Sequence, residues 1–215
     1  MSSVTADPPG RKPYHHGALR SALIEASIAL ARGGGPVRVV LREAARVAGV
    51  SHSAAYRHFA DREALLTEVS NFARNELAAE MRRRVNRVKD PRRRLRAIGV
   101  AYIDFALTEP GLFRTAFTSH PATSGDAEHD PVTGGEDPYE VVSQVLDEAQ
   151  AAGLLDPHLR PGAEIATWSA VHGLASLLLD GPLPTSPAAI KFSRGLVLDL
   201  VERGLLNGIQ KGSGS

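Results

Sequence analysis

The chain has 215 residues, is 43% hydrophobic and has no cysteine, which excludes a disulfide scaffold, a cysteine-based metal site and a thiol nucleophile. No apolar stretch approaches the roughly 18 residues of a membrane span and no apolar run follows the first charges, so we expect a cytoplasmic protein with no membrane partner. The formal net charge of +1 conceals an asymmetry: residues 1–96 hold 19 Lys and Arg against 9 Asp and Glu, and residues 97–215 hold 6 against 15. A basic end of this kind indicates a polyanion-binding unit.

The first predicted elements are an arm and two helices. Residues 1–13 are rich in Pro, Ser and Gly, so we expect a disordered arm. Its basic end at Arg11 and Lys12 either reaches a phosphate or a minor groove, or only keeps the chain in solution. Because apolar residues recur at helical spacing, helix 1 is predicted from about His16 to Arg32 and helix 2 from about Leu41 to Ala48.

The stretch from Ala44 to Phe59 indicates two short helices joined by a tight turn. Gly49 stops the first helix, and Ser51 is suited to cap the second, which is predicted to run to about His58. Its exposed face is small near the start and polar or basic near the end. This is the layout of a helix-turn-helix, whose second helix enters the major groove of DNA. The alternative is a polar surface helix of an all-α protein, and the basic half of the chain favours DNA.

Six more helices follow and no strand pattern appears, so we predict an all-α fold of about nine helices. Asp61 is suited to cap a long fourth helix that reaches about Val88, roughly 40 Å at 1.5 Å per residue. Residues 119–137 combine acidic residues with Pro and Gly and are expected to form a loop. The remaining helices, numbered 5 to 9, are predicted at about 91–107, 112–117, 138–152, 161–179 and 187–206.

Five motifs between residues 14 and 70 carry a family resemblance: Tyr14-His15-His16-Gly17-x-Leu19-Arg20, Leu41-Arg42-Glu43-x-Ala45, Ala48-Gly49-Val50-Ser51, Tyr56-Arg57-His58-Phe59 and Glu63-Ala64-Leu65-Leu66. Together they resemble the DNA-binding domain of the TetR family of bacterial transcriptional repressors. The C-terminal half is similar in helix order and in Trp168-x-x-x-His172-Gly173, a motif like that of one subgroup of the family's regulatory domains. Val40 is a departure, because the family usually has a Thr or Ser there that caps helix 2 and offers a hydroxyl to a phosphate.

The resemblance implies a division of the chain and a set of DNA contacts. Residues 1–13 would form a basic arm, 14–62 a helix-turn-helix DNA-binding domain, 63–208 a ligand-binding and dimerisation domain, and 209–215 a flexible tail. The contacts implied are Lys12 in the arm, Arg42, Ser51, His52, Ser53 and Arg57 at base edges, and Tyr56, His58 and Arg62 at phosphates.

Aromatic residues gather in the C-terminal half of a chain that is only 5% aromatic. They lie on helices expected to enclose the interior of that half, where they form either a plain core or a pocket. The resemblance favours a pocket of a few hundred Å³ for a largely apolar effector, with His172 or Tyr102 as a polar anchor. The residues assigned to this pocket are Tyr102, Phe105, Leu112, Phe113, Phe117, Trp168 and His172.

Helices 8 and 9 are expected to form the interface of a homodimer. Their apolar residues exceed what one buried face needs, and no later helix remains to cover them. A two-fold axis at this interface would set the two recognition helices about 34–36 Å apart or a little more, as successive major grooves require.

Two other classes of function compete with a repressor. The first is an α-helical enzyme, but His52 and His58 would lie about 120° apart on a helix and so make no metal site. The spacing also indicates no catalytic triad, phosphate loop or carboxylate pair, so no cofactor is expected. An architectural or ligand-independent DNA-binding protein would explain the basic end but not the large acidic, apolar half. We therefore expect a homodimeric repressor that a small molecule releases from an inverted-repeat operator in double-stranded DNA.

Overall fold

Helices form all the regular structure of residues 14–118 and 135–206, the ranges that the computed structural model describes. Within these ranges lie nine α-helices, one short 3₁₀ turn (Pro36–Arg38) and no strand, so the all-α prediction is confirmed. None of these helices is both long and apolar enough to cross a membrane. The α-helices are α1 (Tyr14–Gly34), α2 (Leu41–Val47), α3 (His52–Tyr56), α4 (Arg62–Asn86), α5 (Pro91–Thr108), α6 (Pro110–Ala116), α7 (Pro138–Ala151), α8 (Ala163–Leu179) and α9 (Pro187–Leu206).

Local capping explains where several helices begin. The side chain of Asp61 accepts a hydrogen bond from the N–H of Ala64 at 2.8 Å, which starts α4 where predicted. Asp90 caps α5 in the same way. Asp137 and Glu140 satisfy each other's backbone N–H groups in a capping box at the start of α7. Because these bonds join residues within one turn, the sequence alone locates the helix starts.

Several predicted helix limits differ from the structure by one or two residues, among them the ends of α3 and α4. The recognition helix α3 ends at Tyr56 rather than His58, because the chain turns there and buries Phe59. Helix α4 ends at Asn86 rather than Val88, so its 25 residues span about 37 Å. The predicted arm, residues 119–134 of the predicted loop and the predicted tail lie outside the described residues.

Helix α8 does not bury all of its large side chains. Ile165 is 65% exposed, and Trp168 and His172 lie at the margin of the core. Apolar residues surround most of this helix, so their spacing does not define one face. The buried positions are Ala163, Glu164, Thr167, Val171, Leu174, Ala175 and Leu178.

Helix α4 joins the N-terminal helices to the rest of the chain. It packs against α1, α5, α6 and α7, and its buried face belongs to one continuous core that runs from α1 to α9. Its buried apolar residues are Leu65, Leu66, Val69, Ala73, Leu77, Ala78, Met81 and Val85.

Helix α6 brings the C-terminal half against the end of α1. Gly111 lies so close to α1 that a Cβ atom there would clash with the carbonyl oxygen of Ala31, so this contact requires glycine. Arg114, also on α6, forms an ion pair with Asp180 just after α8, at 2.5 Å. α6 therefore connects the end of α8 with the end of α1.

Candidate DNA-binding surface and effector site

The turn between α2 and α3 has the geometry that its sequence predicts. Gly49 has a φ of +69°, in the left-handed region that favours glycine. The hydroxyl of Ser51 accepts a hydrogen bond from the N–H of Ala54 at 3.2 Å and so caps α3. Ala55 and Phe59 are buried and fix α3 against the other helices. The opposite face of this short helix therefore projects outward in a defined orientation.

The outward face of α3 gathers most of the predicted DNA contacts. Ser51, His52, Ser53, Tyr56 and Arg57 are exposed, whereas His58 is half-buried. The rings of His52 and Tyr56 contact each other edge to face, with centroids 4.8 Å apart. The hydroxyls of Ser51 and Ser53 lie 3.2 Å apart. Small polar groups near the start of α3 and a Tyr hydroxyl and a guanidinium near its end suit the edges and walls of a major groove.

Helix α2 and the turn before it add positive charge beside α3. Arg42 is exposed, as a base contact requires, and so is Arg38, which the sequence analysis did not single out. Within the described ranges neither guanidinium forms an ion pair. Glu43 bonds to Arg46 at 3.0 Å; this bond lowers the pKa of the carboxyl, and Arg42 and Arg38 add to the effect.

Arg62 has partners within the protein, whereas its predicted partner was a phosphate. Its Nε donates to the carbonyl of Val39 at 2.8 Å and one Nη donates to the carbonyl of Pro36 at 2.7 Å. Val40, the residue before α2, has the extended backbone of an N-cap but no side-chain hydrogen bond. Arg62 therefore ties the start of α4 to the turn that precedes an uncapped helix. Lys12, the other outlying contact, is outside the described residues.

The predicted effector residues do come together around Tyr102. Phe113 packs edge to face on its ring at 5.5 Å, and Phe117 and His172 lie 6.3 and 6.2 Å away between centroids. The indole N–H of Trp168 donates to the Tyr102 oxygen at 3.0 Å, and that oxygen lies 2.8 Å from Nδ1 of His172. Burial raises the pKa of Tyr102 and lowers that of His172. Phe105 and Leu112 are buried in the same hydrophobic core.

The cavity inside this cluster is much smaller than the pocket of a few hundred Å³ that was predicted there. The cavity beside Trp168 and Tyr102 has a volume of about 10 Å³, at the lower limit for one water molecule. The aromatic rings fill the space because they pack against one another. Two larger concave regions lie at the surface. One, of about 280 Å³, is lined by Tyr139, Ile165, Trp168, Ser169 and His172, and is called the outer depression below.

The second region is an apolar groove of about 660 Å³ between α8 and α9. Its walls include three large side chains on one face of α9: Phe192, Leu196 and Leu200 are 74%, 52% and 60% exposed. Leu177 of α8 is exposed beside them. Apolar exposure on this scale is typical of interaction surfaces and ligand-binding grooves.

Two protein-family models match the chain. The model described as "Bacterial regulatory proteins, tetR family" matches residues 23–69, and the one described as "Tetracyclin repressor-like, C-terminal domain" matches residues 95–199. The chain belongs to the TetR family. Members of the TetR family are transcription regulators rather than enzymes, and they bind DNA and dimerise.

Solved structures share the TetR fold. A protein with unknown function from Rhodococcus sp. RHA1 is 30% identical with a TM-score of 0.71, over 91% of this chain and 100% of that one. A TetR-family transcriptional regulator from Pectobacterium atrosepticum is 20% identical with a TM-score of 0.67, over 91% and 98%. RolR in complex with its ligand resorcinol is 15% identical with a TM-score of 0.61, over 88% of this chain and 90% of that one. At such low identity, the Pectobacterium and RolR structures show a shared fold alone. None of the curated proteins compared with the chain matches it.

In this TetR-family chain, the sequence did not reveal a buried acid or several wall residues of the outer depression. Glu164 is only 5% exposed; its carboxylate accepts hydrogen bonds from Ser143 at 2.9 Å and Arg160 at 2.6 Å. Burial acts to raise the pKa of Glu164, but hydrogen bonds and the charge of Arg160 outweigh it and lower the pKa. The i, i+4 spacing of Arg160 and Glu164 was a signal for this pair. Tyr139 and Ser169 border the outer depression, which the sequence does not indicate.

Proposed function

We propose that the chain is a sequence-specific repressor that binds an inverted-repeat operator as a homodimer and releases it when a small molecule binds. The observation that carries this proposal is the exposed face of α3, capped by Ser51 and anchored by Phe59, with Arg42 beside it on α2. The proposed domain limits stay at residues 14–62 and 63–208, with α4 as the connection.

The DNA contacts divide into two groups. Arg42 can bond two acceptors of one guanine, and Ser51, His52, Ser53 and Arg57 offer short or basic groups to neighbouring base edges. Phosphate contacts are proposed for Tyr56, His58 and Lys12. Arg62 keeps a phosphate role only through the Nη group that its carbonyl bonds leave free.

Dimerisation is proposed through α8 and α9. The apolar groove between them combines exposed Leu and Phe side chains with the small residues Ala170, Gly173 and Ala189. Two copies related by a two-fold axis would cover this surface as a four-helix interface. The axis would also give the operator its inverted repeat.

An effector is proposed to act on the aromatic cluster of Tyr102, Phe105, Leu112, Phe113, Phe117, Trp168 and His172. These residues belong to α5, α8 and the α6 region, and α6 packs on α1, so a change in the cluster can reach the N-terminal helices. RolR has resorcinol as its ligand; for this chain, the cluster's own rings support an aromatic effector. A coupling of about 1–3 kcal/mol would lower operator affinity roughly 5- to 150-fold.

Selection of bound DNA from a random pool by the purified protein tests the proposal. We expect one enriched motif that is an inverted repeat, with half-sites about one helical turn apart or a little more. Enrichment of a single, non-repeated site would contradict the dimeric mode. No enrichment at all, with salt-dependent binding to every sequence, would instead indicate an architectural DNA-binding protein.

A further inference from the structure

We infer that the effector binds in the outer depression, against Trp168 and Tyr139, and that it is an uncharged aromatic compound whose carbonyl or similar oxygen accepts a hydrogen bond from Nε2 of His172. This inference rests on the proposed response to a small molecule. It moves the binding site from the filled interior to the outer side of the aromatic cluster, and it names a ligand class.

The direction of two hydrogen bonds fixes which ring nitrogen of His172 carries its proton. An indole N–H can only donate, so the Tyr102 oxygen accepts from Trp168. Tyr102 is 3% exposed, and Nδ1 of His172 is the other partner within reach of its hydroxyl, at 2.8 Å. If Nδ1 carried the proton, the buried Tyr102 hydroxyl hydrogen would have no acceptor, which is unfavourable for a buried donor. Tyr102 therefore donates to Nδ1, and the proton of neutral His172 lies on Nε2.

These two hydrogen bonds leave Nε2 of His172, a residue that lines the outer depression, as an available donor. Nδ1 bonds to Tyr102, whereas Nε2, on the other side of the ring, has no partner within the described residues. His172 lines the depression, and burial lowers its pKa, which favours the neutral ring. A ligand there meets an N–H donor, so it gains most by presenting an acceptor.

The other walls of the depression define the rest of the ligand. Trp168 and Tyr139 lie 6.4 Å apart between ring centroids and offer aromatic surface, and Ile165 adds an aliphatic wall. Ser169 supplies a hydroxyl that can donate or accept. None of the five lining residues is an acid, Lys or Arg, so a charged ligand would lose hydration without gaining a counter-ion. A volume of about 280 Å³ fits a small aromatic molecule.

Two other concave regions, described above, suit a ligand less well. The interior cavity of about 10 Å³ admits no organic molecule. The groove of about 660 Å³ between α8 and α9 is the surface that the proposed partner copy covers.

A ligand in the outer depression would act directly on α6. The His172 ring lies 5.1 Å from Phe117 and 5.4 Å from Phe113 between centroids. Phe113 belongs to α6, and Phe117 follows its last residue. Gly111 at the other end of α6 packs against the carbonyl of Ala31 on α1. A shift of His172 thus reaches the N-terminal helices through α6.

Two measurements on the full-length protein without DNA test the site. The first uses acetophenone and ethylbenzene, which have similar size but differ in the acceptor oxygen, and follows Trp168, the only tryptophan. We expect both to change its fluorescence and acetophenone to bind about tenfold more tightly. The second is the ¹⁵N spectrum of histidine at neutral pH, in which His172 should show the Nε2–H tautomer.

Substitutions at His172 separate recognition from folding, because the preference is a ratio within each variant. His172→Phe should bring the two affinities within about twofold of each other, whereas His172→Gln, which keeps a terminal N–H donor, should retain part of the preference. His158→Phe, at an exposed histidine outside the depression, should keep the wild-type ratio.

Three results would overturn the inference. The first is equal affinity of the wild type for both probes, or no binding of either. The second is an unchanged preference for acetophenone in His172→Phe. The third is an Nδ1–H tautomer or a charged ring of His172 at neutral pH. Release of selected operator DNA is measured separately, so a failure of the proposed function would appear there and leave the probe result intact.

Discussion

Gly173 lies in the interior of α8, where no contact among the described residues requires a glycine. It is exposed, and a Cβ atom added there would meet no atom of the described residues within 4 Å. A glycine inside a helix costs about 0.5–1 kcal/mol relative to alanine, so Gly173→Ala should raise the free energy of unfolding of one protomer by about that amount. Gly173 also lines the groove between α8 and α9, the proposed dimer interface. We expect two copies of α8 to approach each other most closely at this residue.

The same substitution should therefore weaken the dimer. Inserting a methyl group into a well-packed contact costs about 1–3 kcal/mol, which corresponds to roughly a 5- to 150-fold higher dimer dissociation constant. Gly195→Ala on α9 is the matched control, because a Cβ there also meets no atom within 4 Å but Gly195 does not line the groove. Sedimentation over nanomolar to micromolar concentrations gives the dissociation constant, and urea unfolding gives the stability. If Gly173→Ala dimerises as tightly as Gly195→Ala, α8 does not cross its partner at Gly173.

Three further expectations concern the N-terminal turn and the pH response. Val40→Thr should stabilise the fold by about 0.5–1 kcal/mol, because Val40 has the backbone geometry of an N-cap but no hydroxyl. The same change at exposed Val37 should have little effect. Equal gains in stability at the two positions would contradict a capping role for residue 40. Arg62→Ala should lower the free energy of unfolding by about 1 kcal/mol, because two hydrogen bonds to backbone carbonyls are lost at a partly exposed site. The control Arg57→Ala should change DNA binding alone. Unchanged stability in Arg62→Ala would refute this role of Arg62. Burial lowers the pKa of His172, so below about pH 6.5 the unfolded chain binds more protons there and stability falls as the pH decreases. Urea unfolding at about pH 7.5 and about pH 5.5 should show a smaller fall for His172→Gln than for the wild type, and an equal fall would contradict the burial effect.

The sequence predicted those parts of the fold that depend on neighbours within one helical turn. Asp61 starts α4 and Ser51 starts α3 as predicted, since each accepts a backbone N–H three residues ahead. The end of α3 depends instead on where Phe59 finds a buried position, which is a tertiary contact, and the prediction ran two residues too far.

The sequence predicted which residues form the aromatic cluster but not how much space they leave. Composition and helical spacing bring Tyr102, Phe113 and His172 together, whereas a cavity depends on packing at a scale below 1 Å, which no pattern encodes. The outer depression escaped prediction for a related reason. It lies on the margin of α8, whose apolar residues surround the helix, and its Tyr139 wall comes from α7.

Helices α2 and α3 are proposed to read the operator, and a comparison of Arg42→Ala with Tyr56→Phe on the DNA that the wild type selects tests this proposal. At physiological salt, Arg42→Ala should weaken binding by about 1–3 kcal/mol and lose base preference at one position of each half-site. Tyr56→Phe should weaken binding to all sequences alike, since a phosphate contact carries no base information. If both variants bind the selected DNA as the wild type does, with the same base preferences, then these helices do not form the reading surface.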